Sequence, residues 1–177
     1  MMENFEEYEI QFTGLKNGEH EYKYHIDEAF FALFNYKEFS GVDVDVSLLL
    51  EKQTNVMELT LQVKGTVNVI CDVSLVAYDQ PIEGVLNLEV KFGEAFDDED
   101  DEYLILPYDA HTLEIQQYIY ESVILAVPYK KVHPKVKDGT MKSVIIEKLK
   151  ELSPGNKKAK KETDPRWDKL KKLLNDK

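Results

Sequence analysis

Val42-Asp43-Val44-Asp45-Val46-Ser47-Leu48-Leu49-Leu50 opens an alternation that runs on to residue 92. Val42, Val44, Val46, Leu48 and Leu50 share one side. After a break at Lys52-Gln53-Thr54-Asn55, the residues Met57, Leu59, Leu61 and Val63 repeat the pattern. Val67, Val69, Cys71, Val73 and Leu75 follow, then Ile82, Leu86, Leu88, Val90 and Phe92. Every second side chain of a strand lies on the same face. The run is therefore an antiparallel meander with one apolar face, and the rest of the chain must cover that face. Gly65 sits inside the alternation, where glycine marks a bulge or a bend. Residues 57–73 are then one long bent strand or two strands sharing a corner. Asp79-Gln80-Pro81 reads as the next turn. Strands this long and curved point to a half-open barrel rather than a flat sheet.

Outward from the meander, Tyr8, Ile10 and Phe12 predict a first strand over 6–12, and Leu15-Lys16-Asn17-Gly18 a turn. Tyr22, Tyr24 and Ile26 predict a second strand that can pair with the first as a hairpin. Asp27 is an N-cap candidate for a short apolar helix over 29–36, with Glu28 suited to the positive end of its dipole. Residues 94–102 hold Glu94, Asp97, Asp98, Glu99, Asp100, Asp101 and Glu102. Such density of like charge predicts an exposed, mobile loop. The run lacks the central glycine of a calcium loop. Tyr103 to Leu106 is a short strand closed by Pro107. From residue 112 the period changes: Ile115, Tyr118, Ile119, Ser122, Val123 and Ala126 fall on one helical stripe, which Pro128 ends. This 112–127 helix is the expected cover for the sheet.

The fold class that follows is α+β: a curved antiparallel β-meander, half-open and barrel-like, covered by a helix and followed by a basic helical C-terminal arm. The expected domains are a β-rich body with its covering helix over 1–128, a basic helical extension over 129–152, a disordered linker over 153–163 and an amphipathic helix over 164–177. In the extension Met141, Val144, Ile145, Leu149 and Leu152 share a face. The linker is too polar to bury anything. In the last segment Asp164 caps, Pro165 takes the first helical position, and Trp167, Leu170, Leu173 and Leu174 form a stripe. A helix this short is marginal alone and needs something to dock on.

Charge divides the chain in the same place. Of its 177 residues, 22 are basic and 34 acidic, a net of −12. Residues 129–177 hold 16 of the basic and seven of the acidic ones, a net of +9, which leaves −21 for residues 1–128. A lysine-rich arm on an acidic body is either a solvated tail that partly folds back or a phosphate-binding element. The contact candidates are Lys157, Lys158, Lys160, Lys161, Arg166, Trp167, Lys169 and Lys171. No apolar run reaches the length of a membrane helix. The acidic N-terminus lacks the pattern of a signal peptide. A single cysteine forbids an internal disulfide framework and indicates a reducing, cytoplasmic compartment.

Catalytic chemistry is hard to assemble from these residues. His20, His25, His111 and His133 stand in separate segments without ligand spacing. Cys71 lies on the apolar face, where a free cysteine behaves as a small hydrophobe, and no base neighbours it in sequence. There is no Gly-rich phosphate loop, no nucleophile elbow and no Cys-x-x-Cys pair. The expectation is a non-enzyme with no cofactor, no metal, no small-molecule substrate and no membrane association.

The order of features carries a resemblance. Cys71 lies in mid-meander, followed by the acidic loop, by Glu121/Leu125/Pro128 at the helix end, and by Asp164-Pro165-Arg166-Trp167-Asp168-Lys169-Leu170. From about residue 63 to 174 this resembles the bacterial YceD family, the large ribosomal RNA subunit accumulation proteins. The resemblance implies a non-enzymatic factor in large-subunit biogenesis that supports 23S ribosomal RNA accumulation. Its partner would be ribosomal RNA or a large-subunit ribosomal protein. The alternative is an interaction adaptor whose acidic body binds a basic protein without touching RNA. Many family members carry Cys-x-Arg-Cys in the meander and a cysteine-rich, zinc-like segment after the helix proline. Here the first window is Cys71-Asp72-Val73-Ser74, and no cysteine follows the proline, so no zinc is expected.

Overall fold

Five strands form the main sheet in the order β2-β3-β4-β5-β6. The computed structural model describes residues 5–99, 103–141 and 144–152. In chain order the elements are β1 (Glu9–Gln11), β2 (Gly18–Ile26), α1 (Glu28–Leu33), β3 (Val42–Lys52), β4 (Val56–Ile70), β5 (Ala77–Gly93), β6 (Tyr103–Pro107), β7 (Thr112–Glu114), α2 (Gln116–Ala126), α3 (Pro134–Lys137) and α4 (Val144–Leu152). Met1–Pro134 is one compact unit and Lys135–Lys177 a second.

The alternation sets the register. Val46, Leu48 and Leu50 of β3 stand opposite Val63, Leu61 and Leu59 of β4. Those in turn face Gly84, Leu86 and Leu88 of β5. On β3 and β4 these side chains are buried, each contributing about 1.5–3 kcal/mol through removal from water. The meander β2–β5 is antiparallel, whereas β6 returns parallel to β5. The sheet is open: β2 and β6 are its two rims, and no pairing joins them.

Helix α2 covers the apolar face. Ile115, Ile119 and Val123 are fully buried, in keeping with the stripe. The helix comes close because Gly84 has no side chain: a Cβ there would lie 3.2 Å from both Ala126 Cβ and Val63 Cγ2. Helix α1 is capped as expected, with Asp27 Oδ1 accepting from the Ala29 N–H at 2.9 Å and the Phe30 N–H at 3.3 Å. It brings an aromatic cluster that the alternation does not reveal. Phe34 stacks on Tyr120 of α2 with ring centroids 4.3 Å apart, and Phe31 meets the same ring at 5.7 Å.

Several expectations need correction. The first strand does not pair with the second. Residues Phe12–Gly14 form a 3-10 turn that redirects the chain, and β1 pairs with β7, setting buried Ile10 against buried Leu113. The expected 112–127 helix is therefore two elements, β7 and then α2. Asp79-Gln80-Pro81 lies within β5 rather than in a turn. The real turn is at 71–76, where Leu75 adopts φ 57° and is 68% exposed. Alternation alone carries Val73 and Leu75 past the strand end because it senses side-chain polarity and not backbone hydrogen bonding. Gly65 marks no bulge, since the register runs through it unbroken. It marks a close backbone approach instead: a Cβ there would strike the Asp43 carbonyl oxygen and lie 2.6 Å from Val44 Cα.

In the second unit α4 forms inside the expected basic helix. Val144, Ile145, Leu149 and Leu152 of its anticipated apolar stripe are exposed, and Ile146, off that stripe, is the buried residue. The 153–163 linker and the 164–177 helix lie outside the described residues.

Candidate interaction surfaces

The solvent face of the sheet is built by the other half of the alternation. Glu19, Glu21, Asp43, Asp45, Glu51, Glu58, Asp79, Glu83 and Glu89 point there, against Lys23, Lys64 and Lys91. Lys64 pairs with Glu83 at 3.8 Å and Lys91 with Glu89 at 3.1 Å. Asp45 accepts from His25 Nδ1 at 3.1 Å, and this hydrogen bond holds the exposed imidazole above its usual pKa. The face is negative over four strands, so it repels a phosphate backbone and attracts cations.

The second surface is the turn after β4. Its backbone closes on itself through the Cys71 N–H to Val76 carbonyl bond at 3.0 Å and the Leu75 N–H to Cys71 carbonyl bond at 2.9 Å. The segment after α2 crosses it as a strap. The Asp72 N–H donates to the Lys131 carbonyl at 2.8 Å, and the Lys131 N–H donates to Asp72 Oδ2 at 2.7 Å. The His133 N–H and the Ser74 N–H both donate to Cys71 Sγ, at 3.3 and 3.4 Å. The His133 ring rests on Tyr78 at 5.1 Å between centroids. Burial pushes the Cys71 thiol up, but hydrogen bonds from the His133 N–H, the Ser74 hydroxyl and the Ser74 and Val73 N–H groups outweigh it and bring the thiol down to about 7.

The third is a cavity of about 430 Å³ between β6, β7 and the start of α2. Leu104, Leu106 and Leu113 form a buried floor, and Phe96, Asp98, Glu114, Gln116 and Tyr118 stand around it. The start of the acidic loop is tied down here. Asp97 and Ile105 exchange backbone hydrogen bonds of 3.0 and 2.8 Å, and Asp97 Oδ1 accepts from the Glu99 N–H at 3.0 Å. Residues 94–99 are exposed, as expected, but the like-charge run does not leave them untethered. Burial, then Asp98 and Glu121, push the Tyr118 phenol up to about 12, so it is a neutral donor at any ordinary pH.

The sequence-derived contact residues Lys157, Lys158, Lys160, Lys161, Arg166, Trp167, Lys169 and Lys171 all lie outside the described residues. Among the described basic residues after α2, Lys130, Lys135, Lys137 and Lys148 are exposed. Sequence reasoning missed Asp72, Lys131 and the backbone of His133 as a junction. The contacts join segments 59 positions apart, largely through backbone groups, so no local pattern announces them.

The family model described as Large ribosomal RNA subunit accumulation protein YceD matches residues 59–174. The chain belongs to the YceD family. The match runs from within β4 through α4 and on into the arm, so it includes both the turn and the strap. The family's name links it to accumulation of large-subunit ribosomal RNA. No curated protein and no solved structure gives a match. The turn–strap junction offers one thiol, one imidazole, one carboxylate and one hydroxyl, from Cys71, His133, Asp72 and Ser74, and no cluster of three His, Cys, Asp or Glu ligands forms among the described residues. A structural zinc takes four N or S ligands, so this junction does not suit one. The Asp72–Lys131 hydrogen bonds join the turn to the strap. Among the described residues no helix is long and apolar enough to cross a membrane.

Proposed function

We propose that this YceD chain is a non-enzymatic, cytoplasmic factor in large ribosomal subunit biogenesis. It supports 23S ribosomal RNA accumulation by contacting ribosomal RNA through its basic arm. The single observation that carries this is the division of charge in a chain of this family: −21 before residue 129 and +9 after it. The acidic sheet face disfavours RNA. Lysine clusters neutralise phosphates and release counterions. The contacts fall to Lys157, Lys158, Lys160, Lys161, Arg166, Lys169 and Lys171, with Trp167 available to stack on an unpaired base.

The test is sedimentation of the full chain with large-subunit precursors, before and after nuclease treatment, together with binding across a salt series. The expected result is co-sedimentation released by nuclease and an affinity that falls steeply with salt. Removing residues 154–177 should abolish it. Salt-independent binding, or binding unchanged by that deletion, overturns the RNA reading. Co-purification with a basic ribosomal protein and no RNA replaces it with the adaptor reading.

A further inference from the structure

We infer that the cavity between β6, β7 and the start of α2 is a receptor for an arginine side chain on a basic partner polypeptide. It lies in the body and acts whether or not the arm reaches RNA.

Three properties of the cavity select that ligand. Its floor is apolar, with Leu104 and Leu106 buried beneath it, so it accepts the methylene stem of a long side chain. Its charged lining is of one sign: Asp98 and Glu114 are both exposed carboxylates, and no Lys, Arg or His stands among the lining residues. A cation entering is matched there, and an anion is refused. The Phe96 ring is 56% exposed at the edge. A guanidinium stacks on such a ring while donating sideways to carboxylates, which a compact ammonium does less well.

The cavity is also preorganised. The Asp97–Ile105 backbone pair holds the segment that bears Phe96 and Asp98 against β6. On the opposite side Gln116 Nε2 donates to Glu114 Oε2 at 3.0 Å, which fixes that carboxylate and leaves its other oxygen for an incoming donor. A site held open in this way loses little freedom on binding. The general acidity of the body brings basic partners near, and the cavity adds a shape requirement that the flat sheet face lacks.

The probe is an acetylated, amidated Arg–Ser repeat peptide, with the same peptide carrying citrulline in place of arginine as its neutral counterpart. Binding to the full chain is measured by fluorescence anisotropy, and chemical shifts of Leu106 and Tyr118 are followed by NMR. The expected result is binding about 10-fold tighter for the arginine peptide, with shifts at both residues. Asp98→Asn with Glu114→Gln should weaken it about 5- to 10-fold. Ala110→Trp, which fills the cavity from its rim, should remove it even with all charges kept. Asp79→Asn with Glu83→Gln makes the same charge change on the sheet face and should shift binding less than about twofold. The inference is overturned if the citrulline peptide binds equally. It also fails if the sheet-face pair weakens binding as much as the cavity pair, or if Ala110→Trp leaves it intact.

Discussion

The two faces of β4 have the same backbone and opposite tasks. Inward, Leu59, Leu61, Val63, Val67 and Val69 are almost wholly buried; outward, Glu58, Gln62 and Lys64 are exposed. At residue 65 the inward face has no side chain, and the β3 backbone takes the space. The inward face therefore fixes the fold, with little room for substitution. The outward face leaves charge free to vary. At the end of the strand the two roles meet: Cys71 still points inward, but its sulfur accepts hydrogen bonds from the turn and the strap instead of merely filling space.

Substitutions can break this contrast in order of size. Gly65→Val drives its Cβ into the β3 backbone, and a loss of about 3 kcal/mol or more is expected. Urea denaturation should show an unfolded or barely folded chain, and a near-normal midpoint would refute the close approach. Leu61→Ala removes a buried side chain and should cost about 2–5 kcal/mol by the same measurement. Asp72→Ala leaves the Lys131 N–H without its partner and should cost about 1–2 kcal/mol. The sharper readout is amide exchange, which should accelerate at Lys131 and His133 and not in β3. Lys64→Gln, outward and paired only at 3.8 Å to Glu83, should change stability by less than about 0.5 kcal/mol.

Cys71 adds a pH dependence to the comparison. Its thiol is held at about 7 against an ordinary 9.0. A depressed acid stabilises the folded state once ionised. The contribution is therefore complete above the ordinary value and is lost as pH falls through about 7. Thiolate ultraviolet absorbance of the folded chain should rise with a midpoint near 7. The stability gap between the natural chain and Cys71→Ala should widen from pH 7 to pH 9. A midpoint at the ordinary value would show that the hydrogen bonds from His133, Ser74 and Val73 do not outweigh burial.

The strands were legible because burial on one side of a sheet writes a period of two into the sequence. Val44 to Leu50 and Met57 to Val69 follow it without exception among inward positions other than Gly65. The pairing of β1 was not legible. Glu9–Gln11 is three residues long, and its partner Thr112–Glu114 lies about a hundred positions away, beyond any local pattern. The turn at 71–76 was hidden because Val73 and Leu75 prolong the alternation while the backbone has already left the sheet. The junction of Asp72 with Lys131 and the tethering of Asp97 to Ile105 depend on backbone groups, which every residue has and no residue type announces. The cavity likewise joins segments that only folding brings together. The charge division between body and arm was legible in full, because it needs no geometry.

Pro81 has a consequence for how copies of this chain meet one another. The Cys71–Val76 hydrogen bond fixes the parity of the ladder, so that odd positions of β4 bond toward β5 and even ones toward β3. Thr66 is even, and Pro81 stands opposite it. The backbone of Pro81 therefore faces away from β4, toward the stretch of β5 that β6 does not reach, since β6 pairs only from Glu89 onward. Among the described residues no strand pairs with that stretch, and an open strand edge is the kind that recruits another strand and seeds aggregates. Proline withholds a donor at its middle, and Asp79 and Glu83 on either side set negative charge beside it. A second chain bringing the same edge would meet a missing hydrogen bond and its own charge, and both disfavour edge-to-edge pairing.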